Sequence, residues 1–274
     1  MINVVDRVPT YPNRIKVTKS DGTSEYVTWE RADEPTVPGT PINKALFDSI
    51  VEDIGLNANK TVYVSTAGSD ALGDGTAANP YATINKAINS IPKNMNGFDA
   101  TINIAAGTYE EDVWIARTFG GIIIFNGVAG AVVNIRSIRI AYGASVQVQN
   151  IEMVFTGSYN GNAISVNDAD FVCLSKVSVT GNVENGVFAS RNAFFCAYVD
   201  LVINNTTYAA IHSTNRSSVF VSVLSGTAAS GSFMRAVNGS SISFYSSSAT
   251  APVIYSTSAG GRIYSGAQVS IPNY

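Results

Sequence analysis

From residue 99 onward the chain repeats itself, and this limits its possible folds more than any other feature. Eight segments align: DATINI at 99, GGIIIF at 120, GASVQV at 143, DADFVC at 168, NAFFCA at 192, RSSVFV at 216, GSSISF at 239 and GGRIYS at 260. Their successive offsets are 21, 23, 25, 24, 24, 23 and 21. The second position is always small (Ala100, Gly121, Ala144, Ala169, Ala193, Ser217, Ser240, Gly261). The fourth is always apolar (Ile102, Ile123, Val146, Phe171, Phe195, Val219, Ile242, Ile263), and the sixth is apolar or small, from Ile104 to Ser265. A tight corner followed by alternation with a period of two describes a strand with one buried face. Recurring once every 21–25 residues, without the asparagines of leucine-rich repeats, it predicts an all-β parallel β-helix of about eight coils. Strands ~4.8 Å apart make that a rod of roughly 35–40 Å. An antiparallel β-sandwich is the rival, but it does not require like columns at a steady offset.

Composition agrees. The chain has 274 residues, of which only 14% are charged, and a net charge of −3. No Lys/Arg cluster tracks a phosphate backbone, so nucleic acid is not an expected partner. No apolar run reaches the ~18 residues of a membrane-spanning helix, and the N-terminus lacks a signal-peptide layout. Cys173 and Cys196 give neither a disulfide framework nor zinc spacing, and one histidine, His212, cannot anchor a metal site. No cofactor and no metal are expected.

Three pieces are predicted: an N-terminal module over 1–59, a lead-in strand and capping helix over 60–98, and the β-helix over 99–274. In the first, RIKVTKSDGTSEYVTWE places two alternating runs around Asp21-Gly22, a hairpin signal. The proline-rich ADEPTVPGTP reads as an extended arm. A short helix follows Thr40-Pro41, its stripe of Leu46, Ile50 and Ile54 needing a partner. In the second, TVYV reads as a strand, GDGTAANP as a turn-rich loop, and 81–91 as an amphipathic helix ended by Pro92. That helix has an apolar side of Ile84, Ala87, Ile88 and Ile91, suited to covering the open end of a solenoid.

Two stretches carry a resemblance. YVSTAGSDALGDGTAANPYATINKAINSIP followed by INIAAGTYEE resembles the opening segment of pectate-lyase-like β-helix proteins, which include many phage tailspikes. It implies that the β-helix is right-handed. PNRIKVTKSDGTSEYVTWERADEPTVPGTPINKALFDSI (12–50) resembles a leader on virion structural proteins of phages and prophages of Gram-positive bacteria. It implies an attachment module, with Arg31, Asp33, Glu34, Pro38, Leu46 and Phe47 at its centre. It also implies other virion proteins as partners, a homotrimer, and localisation in a virion assembled in the host cytoplasm.

Catalysis in this family needs clustered acids. The candidates are Asp168, Asp170, Glu152, Glu184 and Asp200; beyond Asp200 there is no Asp or Glu. Asp168 falls in a column of turn formers, which favours a corner role over an acid pair with Asp170. Lys176 and Asp200 are expected to stack as a ladder ion pair, and Glu110, Glu111 and Asp112 to form a solvated turn. Aromatic faces beside amides suit sugar recognition. The loops TGSYNGN and INNTTYAA place Tyr159, Asn160, Asn205 and Tyr208 as ligand-binding candidates. The reading is a virion appendage (tail fibre, tailspike or head fibre) that binds a host-surface glycan without cleaving it. The alternatives are a polysaccharide depolymerase, hydrolase or lyase, and a purely structural capsid or baseplate decoration.

Overall fold

The computed structural model describes residues 14–18, 24–28, 55–116, 118–228, 231–250 and 253–265. The chain divides into two compact units, Met1–Ile54 and Gly55–Tyr274. In the first, β1 (Arg14–Thr18) pairs antiparallel with β2 (Ser24–Thr28), as the Asp21-Gly22 signal predicts. The extended arm, the helix after Pro41 and the attachment residues Arg31, Asp33, Glu34, Pro38, Leu46 and Phe47 lie outside the described residues.

The second unit is a parallel β-helix. Its short strands are β3 (Lys60–Val64), β4 (Ala100–Ile104), β5 (Gly107–Ala116), β6 (Ile123–Gly127) and β7 (Val133–Ala141). Then β8 (Ser145–Asn167), β9 (Phe171–Ser190) and β10 (Phe194–Ser213) each run around most of a coil. The top is built from β11 (Ser218–Ala228), β12 (Ser232–Val237), β13 (Ser241–Thr250), β14 (Val253–Ser258) and β15 (Arg262–Ser265). One long face stacks β3, β4, β6, β8, β9, β10, β11, β13 and β15 in order. The other faces stack β5, β7 and the later parts of β8, β9 and β10, then β12 and β14. Neighbouring strands here are parallel.

The solenoid makes about six turns, fewer than the eight expected. The eight repeat segments are all rungs of the long face, and β3 adds a ninth. A rung is not a turn, because a turn is complete only where the chain comes round through the other faces, and β15 is the last rung described. The core is a stack of aliphatic ladders, with Val146, Val172, Phe195, Val219 and Ile242 in one column and at most 2% exposed.

The predicted columns hold from 120 to 143 and from 192 to 260, and slip elsewhere. Ile102 pairs with Phe125 rather than Ile123, a shift of two. Val146 pairs with Val172 rather than Phe171, a shift of one. A one-residue slip exchanges the two faces of a strand. Val172 and Leu174 therefore point into the core, while Phe171 and Cys173, expected inside, face outward.

The small column is set by close backbone approach. A Cβ on Gly121 would stand 1.9 Å from the Phe98 carbonyl oxygen, and one on Gly261 2.0 Å from that of Ala236. Just before this column the chain turns through left-handed backbone. Tyr142-Gly143, Arg191-Asn192, Asn215-Arg216, Asn238-Gly239 and Ala259-Gly260 are consecutive positive-φ pairs, and Asp168 has φ 47°. Asn, Asp and Gly tolerate that region best, which explains the turn-forming first column.

The helix, α1 (Ile84–Asn89), is shorter than the 81–91 expected, because Thr83 caps it and Tyr81 instead bridges to Val64. It buries Ile84, Ala87 and Ile88 against the lowest rungs. Two carboxylates hold its N-terminus. Asp70 accepts from the Ala82 and Thr83 N–H groups and from the Thr83 hydroxyl at 2.6–3.0 Å. Glu111 accepts from the Ile84 and Asn85 N–H groups at 2.7 and 3.0 Å. Asp112 takes a two-bond contact from Arg136, at 3.0 and 2.7 Å, and a third bond from Ser137. Glu110 and Asp112 are exposed as expected, but the three acids lie within β5 rather than in a turn, and Glu111 and Asp112 have structural partners.

Candidate functional site

The outer side of the long face runs unbroken across nine rungs. Side chains there repeat every rung, so like residues stack into ladders. At the lower end the ladder is amide. The Asn126 side chain donates to Asn103 Oδ1 at 2.9 Å, and Gln149 donates to Asn126 Oδ1 at 3.2 Å. Where the 65–80 loop folds over the foot of this face it leaves a cleft of about 450 Å³, lined by Tyr63, Pro80, Asn103, Asn126 and Val128 among others.

From β9 upward the same side is aromatic. Phe171 and Phe194 stack with centroids 6.0 Å apart, and Tyr198 and Phe220 lie 6.3 Å apart. Phe194, Tyr198, Phe220, Tyr245 and Tyr264 are 40–68% exposed. Serines stand between them, with Phe194 opposite Ser218 and Phe220 opposite Ser243. Cys173 and Cys196 face each other on adjacent rungs beneath these rings, both buried and free. A hydrogen bond between the two thiols holds the Cys173 proton and pushes its pKa up. From β9 to β13 this side carries no charge until Arg262 of β15, which leaves an uncharged stripe of half-exposed rings.

The ligand-binding candidates fall elsewhere. Tyr159 and Thr206 lie at one corner of the rod, both in register with Val183. Tyr159 stacks on Phe155 at 5.3 Å and lines a cleft of about 210 Å³ with Glu110, Asn134 and Arg136. Asn160 is exposed beside it. Asn205 is tied to Thr227, whose hydroxyl receives the Asn205 N–H at 3.1 Å and donates to Asn205 Oδ1 at 3.3 Å. Tyr208 is 39% exposed and packs against His212 and Arg235. Tyr208, two residues past Thr206, is not among the residues that line the Tyr159 cleft.

The candidate acids are spread around the coil. Asp168 and Asp170 sit at the left-handed corner, where Asp168 stands 3.9 Å from Arg191, an exposed pair of small energetic weight. Lys176 and Asp200 occupy the next corner on successive coils, both at positive φ, but no ion pair joins them among the described residues. Glu152 lies opposite Asn134 on the following strand and lines a cleft of about 300 Å³ with Lys176. Glu184 is exposed past the third bend. Among the described residues no group of three or more His, Cys, Asp or Glu could hold a metal ion.

The outer aromatic stripe was present in the sequence as Phe194, Tyr198, Phe220, Tyr245 and Tyr264 at alternate positions. The slip at 168 concealed its lower end, because it placed Phe171 in the core.

Comparison with protein-family models, with curated proteins and with solved structures returns no match for this chain.

Proposed function

We propose that this chain is a phage virion appendage whose β-helix binds a host-surface glycan without cleaving it. The observation that supports it best is the outer side of the long face: rings in the upper rungs, amides and a cleft at the foot, and almost no charge. Sugar rings stack on aromatic faces through their C–H groups, while their hydroxyls exchange hydrogen bonds with amides and serines. Rungs ~4.8 Å apart offer these contacts at a spacing close to that of successive sugars, so a polymer gains from many weak contacts in series. In this reading the first 54 residues attach the rod to other virion proteins, and three copies assemble.

Binding to purified host-surface polysaccharide tests the proposal, with reducing ends and unsaturated sugars assayed in parallel. The expected result is retention without cleavage, weakened about tenfold or more by Tyr198→Ala combined with Tyr245→Ala. No retention of any surface glycan defeats the binding reading and favours a structural decoration. The depolymerase reading draws on the cleft shared by Glu152 and Lys176, an acid beside a potential base. Cleavage lost in Glu152→Gln would establish it in place of ours.

A further inference from the structure

Three buried polar atoms on two adjacent rungs have no hydrogen-bond partner: His212 Nδ1, His212 Nε2 and Arg235 Nε. The two residues lie opposite each other in register between β10 and β12. Phe188 stands edge-on to the imidazole at 5.1 Å, and Tyr208 is tilted against it at 5.3 Å. The guanidinium sits 5.3 Å over the Tyr208 ring and donates from Nη1 to Ser256 Oγ at 2.9 Å. Folded proteins rarely leave buried polar groups unpaired, so three such atoms side by side call for an explanation, an anion among them. Here the deficit is specific. The chain has no Asp or Glu after Asp200, and among the described residues no carboxylate pairs with Arg235. Water can accept from these donors but brings no charge to balance a half-buried guanidinium.

We infer that Arg235 and His212, flanked by Tyr208 and Ser256, form a site for a small oxyanion: the carboxylate of an acidic sugar, or a free inorganic oxyanion. Only the first source rests on the glycan reading above. Two oxygens of one anion accept from the guanidinium edge and from the imidazole N–H, and the serine hydroxyl adds a third donor. Tyr208, 39% exposed, forms the rim between the buried donors and solvent. His212 lies behind it. Burial, and secondarily the Arg235 charge, hold the His212 pKa at about 4, so the ring is neutral at pH 7 when the site is empty. Its titratable neighbours among the described residues are Arg235 and Tyr208. An anion drawn in beside it favours the charged ring and raises that pKa.

His212 is the only histidine in the chain, so its ring resonances report the site without ambiguity. The full chain is titrated by NMR with sodium glucuronate, sodium sulfate and glucose at constant ionic strength. A saturable change with glucuronate, a rise of about one unit in the His212 pKa and no response to glucose are expected. Arg235→Gln should abolish the response and Arg235→Lys weaken it several-fold. Circular dichroism checks that each variant is folded, and Ser256→Ala serves as a milder variant. A response to sulfate alone identifies a free inorganic oxyanion as the source. No saturable response to either anion, or one that persists in Arg235→Gln, overturns the site. Tyr198 and Tyr245 lie on a different face, so failed glycan retention with an intact NMR response defeats the glycan reading and leaves this one standing.

Discussion

The lower and upper coils of the rod share one backbone and differ in what they do with their polar and outward positions. Below, polar groups satisfy one another: Asn103, Asn126 and Gln149 form a bonded amide ladder, Glu111 closes the helix N-terminus, and Asp112 holds Arg136 and Ser137. Above, rings stack only in part, and buried donors at His212 and Arg235 stay unpaired. A ladder that uses its own hydrogen bonds stabilises the rod and has less to offer a ligand. Rings that stack on one neighbour keep another face open. The lower end therefore spends its polar groups on the fold, and the upper end leaves rings and donors unmatched.

The largest effect that tests this contrast comes from two adjacent phenylalanines of β10. Phe195 is fully buried and Phe194 is 43% exposed. Phe195→Ala should cost about 3–5 kcal/mol in urea unfolding, and Phe194→Ala under about 1 kcal/mol. Equal costs would mean the register assigned above 168 is wrong. Next, Glu111→Ala should remove about 1–2 kcal/mol by stripping the acceptors from the Ile84 and Asn85 N–H groups. If Glu111→Ala unfolds at the same urea concentration as the wild type, the lower end does not depend on that cap.

The two ends should also fail in different pH windows. The folded His212 pKa of about 4 lies below its ordinary 6.5, so the unfolded chain binds the proton more tightly. The stability it confers is complete above pH 6.5 and is lost as pH falls toward 4, by about 1–2 kcal/mol once solvent screening is discounted. Unfolding curves at pH 7 and pH 4.5 check this, and His212→Phe should abolish the difference. Asp112 is held below its ordinary 3.8, first by the Arg136 and Ser137 hydrogen bonds. At Asp70 burial pulls the pKa up, but bonds from Thr83 and Ala82 outweigh it and leave it lowered. Their stabilisation persists through the His212 window and is lost only as pH falls below 3.8 toward their depressed values. Asp112→Asn should flatten the wild-type loss of stability in that acid range, and an unchanged slope would break the contrast. Smallest of all, Tyr245→Ala should change stability by less than about 0.5 kcal/mol, because its ring is 68% exposed. A larger loss would make the upper aromatics structural.

Much of the fold was legible because a solenoid writes its architecture along the chain. Alternation gives strands, the steady offset gives coils, and turn formers before each strand give corners, as the positive φ at Asp168, Asn192 and Arg216 bears out. Register was less legible. An extra corner residue leaves the apolar pattern intact in FVCL but swaps its faces, so Phe171 and Cys173 moved outward and Val172 and Leu174 inward. The candidate site suffered from the same ambiguity. Tyr159 was legible as an aromatic in a polar stretch, but that stretch is part of β8 rather than a loop, and its stacking on Phe155 was not legible.

By itself the sequence determined the coil repeat, the hairpin over 14–28 and the near absence of charge in the last coils, because these depend on local periodicity and composition. Tertiary structure decided which side of each strand met the core. It also decided which acids became helix caps and ion pairs, and that His212 would lie against Arg235. Those outcomes depend on how one coil settles on the next: residues 21 to 26 apart become neighbours at ~4.8 Å, and a single inserted residue changes which of them meet.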